Sequence, residues 1–261
     1  MGAEKTGKTK FALSAFDFPG IDPKQILYLD NHGSTKSFDV HQWSKQEPWG
    51  VRYIDPLDPS NLYKLILEVR NEIIKTKKRK YALIAVDDWS EFAQGDIDDR
   101  LDGADESQVP AHWRRHGDML RSAARLLSPL VTGAHHIAIF QAALLPDPLV
   151  PRPGKVQEGK SRYIADTREV KIRPFLQGAF AAWMPYKLDA LFYTTFSAKG
   201  GGIYEFAMEF MPHGRVDVYS RWMHLWVNDP KLPKTMRNPT LERVLAMIGN
   251  VTETNEGESN G

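Results

Sequence analysis

The chain contains no cysteine. Disulfides, thiolate metal centres and cysteine nucleophiles are therefore excluded. No apolar run approaches the ~20 residues that carry a helix across a bilayer. No charged-then-apolar leader opens the sequence either, so no membrane partner is expected and a cytoplasmic location is the default. An excess of charge of one sign is also lacking. The net value is +1, which gives no global field to attract nucleic acid, and any such binding must rest on a local patch. What is present is ordinary: 261 residues, 42% hydrophobic and 26% charged. That is enough core for one large α/β domain. The tail from Asn250 to Gly261 is polar, acidic and free of aromatics, and is expected to be disordered.

Periodicity divides the remainder into alternating elements, with no internal repeat. Lys8 to Phe16 has helical spacing of Phe11, Leu13 and Phe16. Gln25 to Asp30 and Tyr81 to Asp88 are apolar runs ending in carboxylates, as suits buried parallel strands. Gly50 to Asp55 is a weaker strand. Residues 60–78 place Leu62, Leu65, Ile66, Val69 and Ile73 on one helical face. Glu91 to Gln108 is acidic and contains glycine, and reads as a loop. Val109 to Leu130 reads as a helix, His135 to Gln141 as a third buried strand, and Leu144 to Tyr163 as a long exposed loop. Three later β-prone runs suggest an antiparallel meander over about 187–222. Asn238, Pro239 and Glu242 mark the start of a closing helix. The expectation is a single domain over residues 1–249, a three-layer α/β core with an antiparallel extension.

The chemistry begins at "GAEKTGKTK", which matches G-x-x-x-x-G-K-[ST] from Gly2 to Thr9. Glycines in such a loop let successive N–H groups turn onto phosphate oxygens. Lys8 would reach the β and γ phosphates, and Thr9 would ligate Mg²⁺. The nucleotide-binding candidates are Gly2, Thr6, Gly7, Lys8, Thr9 and Lys10. Asp87, ending "LIAVDD", stands where a carboxylate reaches the magnesium, so Thr9 and Asp87 are the metal candidates. Gln141 ends "HHIAIF" at a strand C-terminus, which faces the ligand crevice in open α/β sheets. It either senses the γ-phosphate and orders the attacking water or is a solvated strand end.

These stretches, with "ILYLDNHGS" and "WGVRYIDPLDPSNLYKLILEV" in the same order, resemble the phage-encoded RecA-like P-loop ATPases associated with single-strand annealing and recombination. The resemblance implies a RecA-like core, Mg-ATP binding and action on single-stranded DNA. It also implies assembly as a homo-oligomer and phage recombination or replication proteins as partners, in the host cytoplasm. A hydrolysis-deficient nucleotide-binding or structural protein on the same fold is the alternative. The family commonly ends the strand after the loop helix in D-x-E, and here His32 stands at the glutamate's place. His32 is therefore either a substitute base or a turn residue beside Gly33, and Asp88 is the other candidate base. The family's first strand, ahead of the loop, is missing. In this architecture it is central, and leaving its neighbours unpaired would cost of order 1–3 kcal/mol per group. The expectation is that about ten residues, a strand and its lead-in, lie upstream, or that another segment fills the slot.

For DNA, the segment from Ala142 to Arg173 holds seven cations against four acids. Lys155, Lys160, Arg162, Tyr163 and Arg168 are its candidates, with Tyr163 as a stacking surface. Lys75 to Lys80 reads as a helix-end charge cluster, and Arg215 and Arg221 are candidate cations for a neighbour's phosphate. His112 and His116 share a helical face but lack a third ligand.

Overall fold

The computed structural model describes residues 1, 6–31, 33, 35, 51–53, 60–76, 80–146, 170–176, 178–184, 187–198, 204–210, 219–220 and 233–248. Its centre is a four-stranded sheet with the order β2-β1-β3-β4. The strands are β1 (Ile26–Asp30), β2 (Val51–Tyr53), β3 (Leu83–Asp87) and β4 (His135–Ala138), and every pairing is parallel. All five residues of β1 and of β3 are buried, which is why each is a continuous apolar run.

Alternation along these strands separates two cores. Leu27, Leu29, Ile84 and Val86 face α2 (Ser60–Thr76), α3 (Trp89–Leu101) and α4 (Val109–Leu126), meeting Leu62, Ile66, Phe92 and Leu120. Ile26, Tyr28, Leu83 and Ala85 face the other way, onto Ala12 and Leu13 of α1 (Lys8–Leu13) and onto Leu241. The molecule is thus helix on sheet on helix. Beyond this sheet, β5 (Ala142–Pro146) pairs antiparallel with β6 (Val170–Pro174), and α6 (Gly178–Trp183) follows the short α5 (Pro129–Thr132) in chain order. β8 (Tyr193–Ala198), β9 (Tyr204–Glu209) and β11 (Thr235–Arg237) form an antiparallel sheet in the order β11-β9-β8.

Several expectations are corrected. Residues 89–101 are helix, where a loop is expected from Glu91 onward. The Asp88 side chain accepts from the Glu91 N–H at 2.6 Å and starts the helix, and Arg100 closes on Asp96 one turn away at 2.8 Å. Leu144 to Pro146 belong to β5 and not to a loop, because β6 supplies their ladder. Among the described residues the meander is not continuous: β10 (Tyr219–Ser220) pairs with β7 (Ala190–Leu191), while β9 pairs with β8 and β11. The place beside β9 goes to β11, outside the expected 187–222 span. Asn238 does not cap the last helix, which covers residues 241–248. Its φ is +44°, and Thr240 accepts the Arg243 N–H instead. Residues 250–261 lie outside the described residues.

Candidate active site

The register of the sheet sets the geometry. Asp30 of β1 is paired with Asp87 of β3, so two acids end adjacent strands at the same edge. Asp87 alternates with Ala85 and Leu83, and its side chain therefore faces the α1 layer. α1 starts there because Gly7 turns with φ +85°, a left-handed value that glycine adopts without a Cβ penalty. A Cβ at Gly7 would also lie 2.7 Å from the Phe206 ring. Two residues on, Thr9 Oγ1 donates to Asp87 Oδ2 at 2.7 Å. The loop–helix junction and the acid-ended strand, distant in sequence, meet through that bond.

Tyr28 completes the setting. Its hydroxyl crosses from β1 and donates to the same Asp87 oxygen at 2.8 Å. Burial pushes the Asp87 carboxyl above the usual range; the Thr9 and Tyr28 hydroxyls oppose this, Asp30 adds to it, and Lys8 opposes it. Burial and Asp87 together push the Tyr28 hydroxyl well up, so it remains a donor. Asp30 is fully buried and is bound by the N–H and hydroxyl of Thr35, at 2.9 and 2.5 Å.

A second group lies behind the first. Asn31 binds the Asp88 backbone in both senses, accepting from its N–H at 2.5 Å and donating to its carbonyl at 3.0 Å. This holds the turn after Asp87. Asp88 then caps α3, and burial, aided by Asp87 and Glu91, raises its carboxyl to about 6 against the pull of the Glu91 N–H and Gln141. The Gln141 backbone N–H donates to Ser90 Oγ at 3.0 Å, and its side-chain amide reaches Glu91 Oε2 at 3.5 Å. Asp88, Glu91 and Gln141 thus form one polar cluster adjoining the Thr9–Asp87 pair.

The other candidates fall elsewhere. Lys8 is half-buried on the same helix turn, and Thr6 bonds Thr194 at 2.9 Å. Lys10 is exposed, its ammonium 5.3 Å from the Phe206 ring centre. Gly2, His32, Lys155, Lys160, Arg162, Tyr163, Arg168, Arg215 and Arg221 lie outside the described residues. His116 is buried and bonded to Asp96 at 2.7 Å, a structural pairing. No group of three or more histidine and acidic side chains suited to a metal occurs among the described residues. Tyr28, Asn31 and Glu91 were not among the sequence candidates. The available signal was weak: a lone hydroxyl in the buried run "ILYLD", and an amide directly after its acid. Comparison of the chain with protein-family models and with curated protein sequences finds no match.

Proposed function

We propose that the chain binds ATP with magnesium at the Gly7–Thr9 turn and hydrolyses it, on a RecA-like P-loop core. The observation that carries this reading is the bond between Thr9 and Asp87. A hydroxyl at the start of a glycine-preceded helix touches the acid ending a central parallel strand. Hydroxyl and carboxylate oxygens are the hard donors that magnesium takes, so the residues fit the ion. Thr9 and Asp87 would hold it, and when bound it supplies charge neutralisation at the phosphates. Lys8 adds a cation beside that pair.

Asp88 serves best as the proton acceptor. Its carboxyl, raised to about 6, lies near neutrality, where a general base works well. Gln141, within reach of Asp88 and Glu91, orders the water to be deprotonated. Action on single-stranded DNA in recombination or replication, and assembly with further copies, extend the proposal on the strength of the sequence resemblance. Lys155, Lys160, Arg162, Tyr163 and Arg168 are the residues assigned to DNA.

The test is nucleotide binding and turnover, with and without single-stranded DNA, on the chain and on Lys8→Ala. DNA-stimulated ATP hydrolysis that falls at least a hundredfold in Lys8→Ala supports the reading. Tight ATP binding without turnover favours the hydrolysis-deficient alternative. Absence of binding in both chains overturns the site.

A further inference from the structure

The paired register of β1 and β3 ends at Asp30 and Asp87. One step beyond, the Asn31 N–H still reaches the Asp87 carbonyl at 2.9 Å, and then the Asn31 side chain takes over the strand's part. Its Oδ1 accepts from the Asp88 N–H at 2.5 Å, and its Nδ2 donates to the Asp88 carbonyl at 3.0 Å. A side-chain amide carries the same kinds of acceptor and donor as a peptide, so one side chain extends the ladder by a residue. Asn31 is 5% exposed and Asp88 4%. A backbone N–H that loses its partner in such a place gains little water in exchange.

Asp88 is the junction between β3 and α3. Its carboxyl caps the helix through the Glu91 N–H at 2.6 Å, its carbonyl takes the first helical bond from the Phe92 N–H at 3.3 Å, and the Trp89 N–H behind it reaches the Ile139 carbonyl at 2.8 Å. Those bonds tie Asp88 to α3 and to the end of β4; Asn31 ties it to β1. The Asp87 carboxylate is held separately, by Thr9 and Tyr28. We propose that Asn31 is a positioning residue that acts through Asp88: its amide fixes the peptide of the proton acceptor, and so sets where that carboxyl stands relative to Gln141 and the attacking water. The catalytic half of this inference rests on the hydrolysis reading above. Both ends of the amide are needed. Alanine leaves the Asp88 N–H unmet. Aspartate has the same size but offers oxygens only, and sets one of them against the Asp88 carbonyl.

The test compares the full chain with Asn31→Ala and Asn31→Asp at pH 7.5, first without nucleotide and then with MgATP. Amide exchange at Glu91 reports whether the Asp88 carboxyl keeps its place, and exchange at Ile84, buried in the middle of β3, measures opening of the whole sheet. The expected result is exchange at Glu91 about tenfold faster in both variants, beyond any change at Ile84. With MgATP, kcat should fall about tenfold or more while KM stays within about twofold, because the Thr9–Asp87 pair is undisturbed. Equal Glu91 exchange in all three chains overturns the proposal, whether or not the parent hydrolyses ATP. A kcat unchanged in both variants of an active parent overturns it too, as does a loss confined to KM. An Asn31→Asp chain that behaves as the parent also overturns it, since the residue would then only fill space. Faster Glu91 exchange in both variants of a parent without turnover supports the hold of Asn31 on Asp88 and overturns the hydrolysis reading instead.

Discussion

At the scale of single residues, the site is held by buried polar atoms that answer one another across strands. Asp87 receives two hydroxyls on one oxygen, and losing either leaves a carboxylate under-satisfied in a dry setting. Tyr28→Phe is expected to cost about 1–3 kcal/mol, measured by urea denaturation at pH 7.5, and to raise the Asp87 carboxyl further. Asp88 is raised by burial as well. Its folded value of about 6 stands above the ordinary 3.8, so the folded chain binds the extra proton between them. The stability it contributes is complete below about pH 4 and is lost as pH rises through 6. Asparagine retains an oxygen for the Glu91 N–H and carries no charge. Asp88→Asn should therefore match the parent near pH 4 and exceed it by roughly 1–3 kcal/mol at pH 7.5; on the proposed function it should also lower ATP turnover. A variant that is less stable at both pH values would contradict the burial argument.

At the scale of elements, the contrast between β3 and α3 shows what a sequence makes legible. A parallel strand buried on both faces is a continuous apolar run, and "LIAVD" is recognisable without its neighbours. α3 is not. Its buried positions are Trp89, Ser90, Phe92, Ala93, Asp96 and Ile97, a helical face interrupted by a hydroxyl and a carboxylate, with Gly95 beside them. Polarity there suggests a loop, and only the partner on α4 explains it. Asp96 accepts from Arg100 and pairs with the buried His116. The meeting of Thr9 with Asp87 was foreseeable from element order, whereas Tyr28 and Asn31 depend on the β1–β3 register, which no local pattern encodes. Burial alone would raise Asp96, but its bonds to His116 and Arg100 prevail and hold it below the usual range. Its stability contribution is accordingly present above the ordinary carboxylate range and lost as pH falls through it. Asp96→Asn should cost about 1–3 kcal/mol at pH 7 and flatten the acid limb of a stability-against-pH curve.

At the scale of the whole molecule, the Gly7 turn and its helix are fastened by distant segments. Thr6 bonds Thr194, the Gly7 turn lies against Phe206, Ser14 Oγ accepts from the Leu241 N–H at 2.8 Å, and Met1 bridges Phe192 and Thr194. The antiparallel sheet is thus a support for the loop as much as an appendage, held to it by contacts distant in sequence. The Met1 amine gives this coupling a measurable pH signature. Burial and Lys8 lower it from 8.0 to about 5, so between these values the unfolded chain binds more protons than the folded one. Stability is then full above pH 8 and declines as pH falls toward 5. Acetylation abolishes the titration and keeps an N–H for the Phe192 carbonyl, and the cavity of about 270 Å³ that Met1 lines has room for the acetyl group. The acetylated chain should equal the free-amine chain at pH 9 and be more stable by roughly 2–3 kcal/mol at pH 6, measured by denaturant titration of both forms. Identical curves would mean that the amine is solvated and that Met1 is not seated against Phe192 and Thr194. The Thr9–Asp87 contact would stand unaffected.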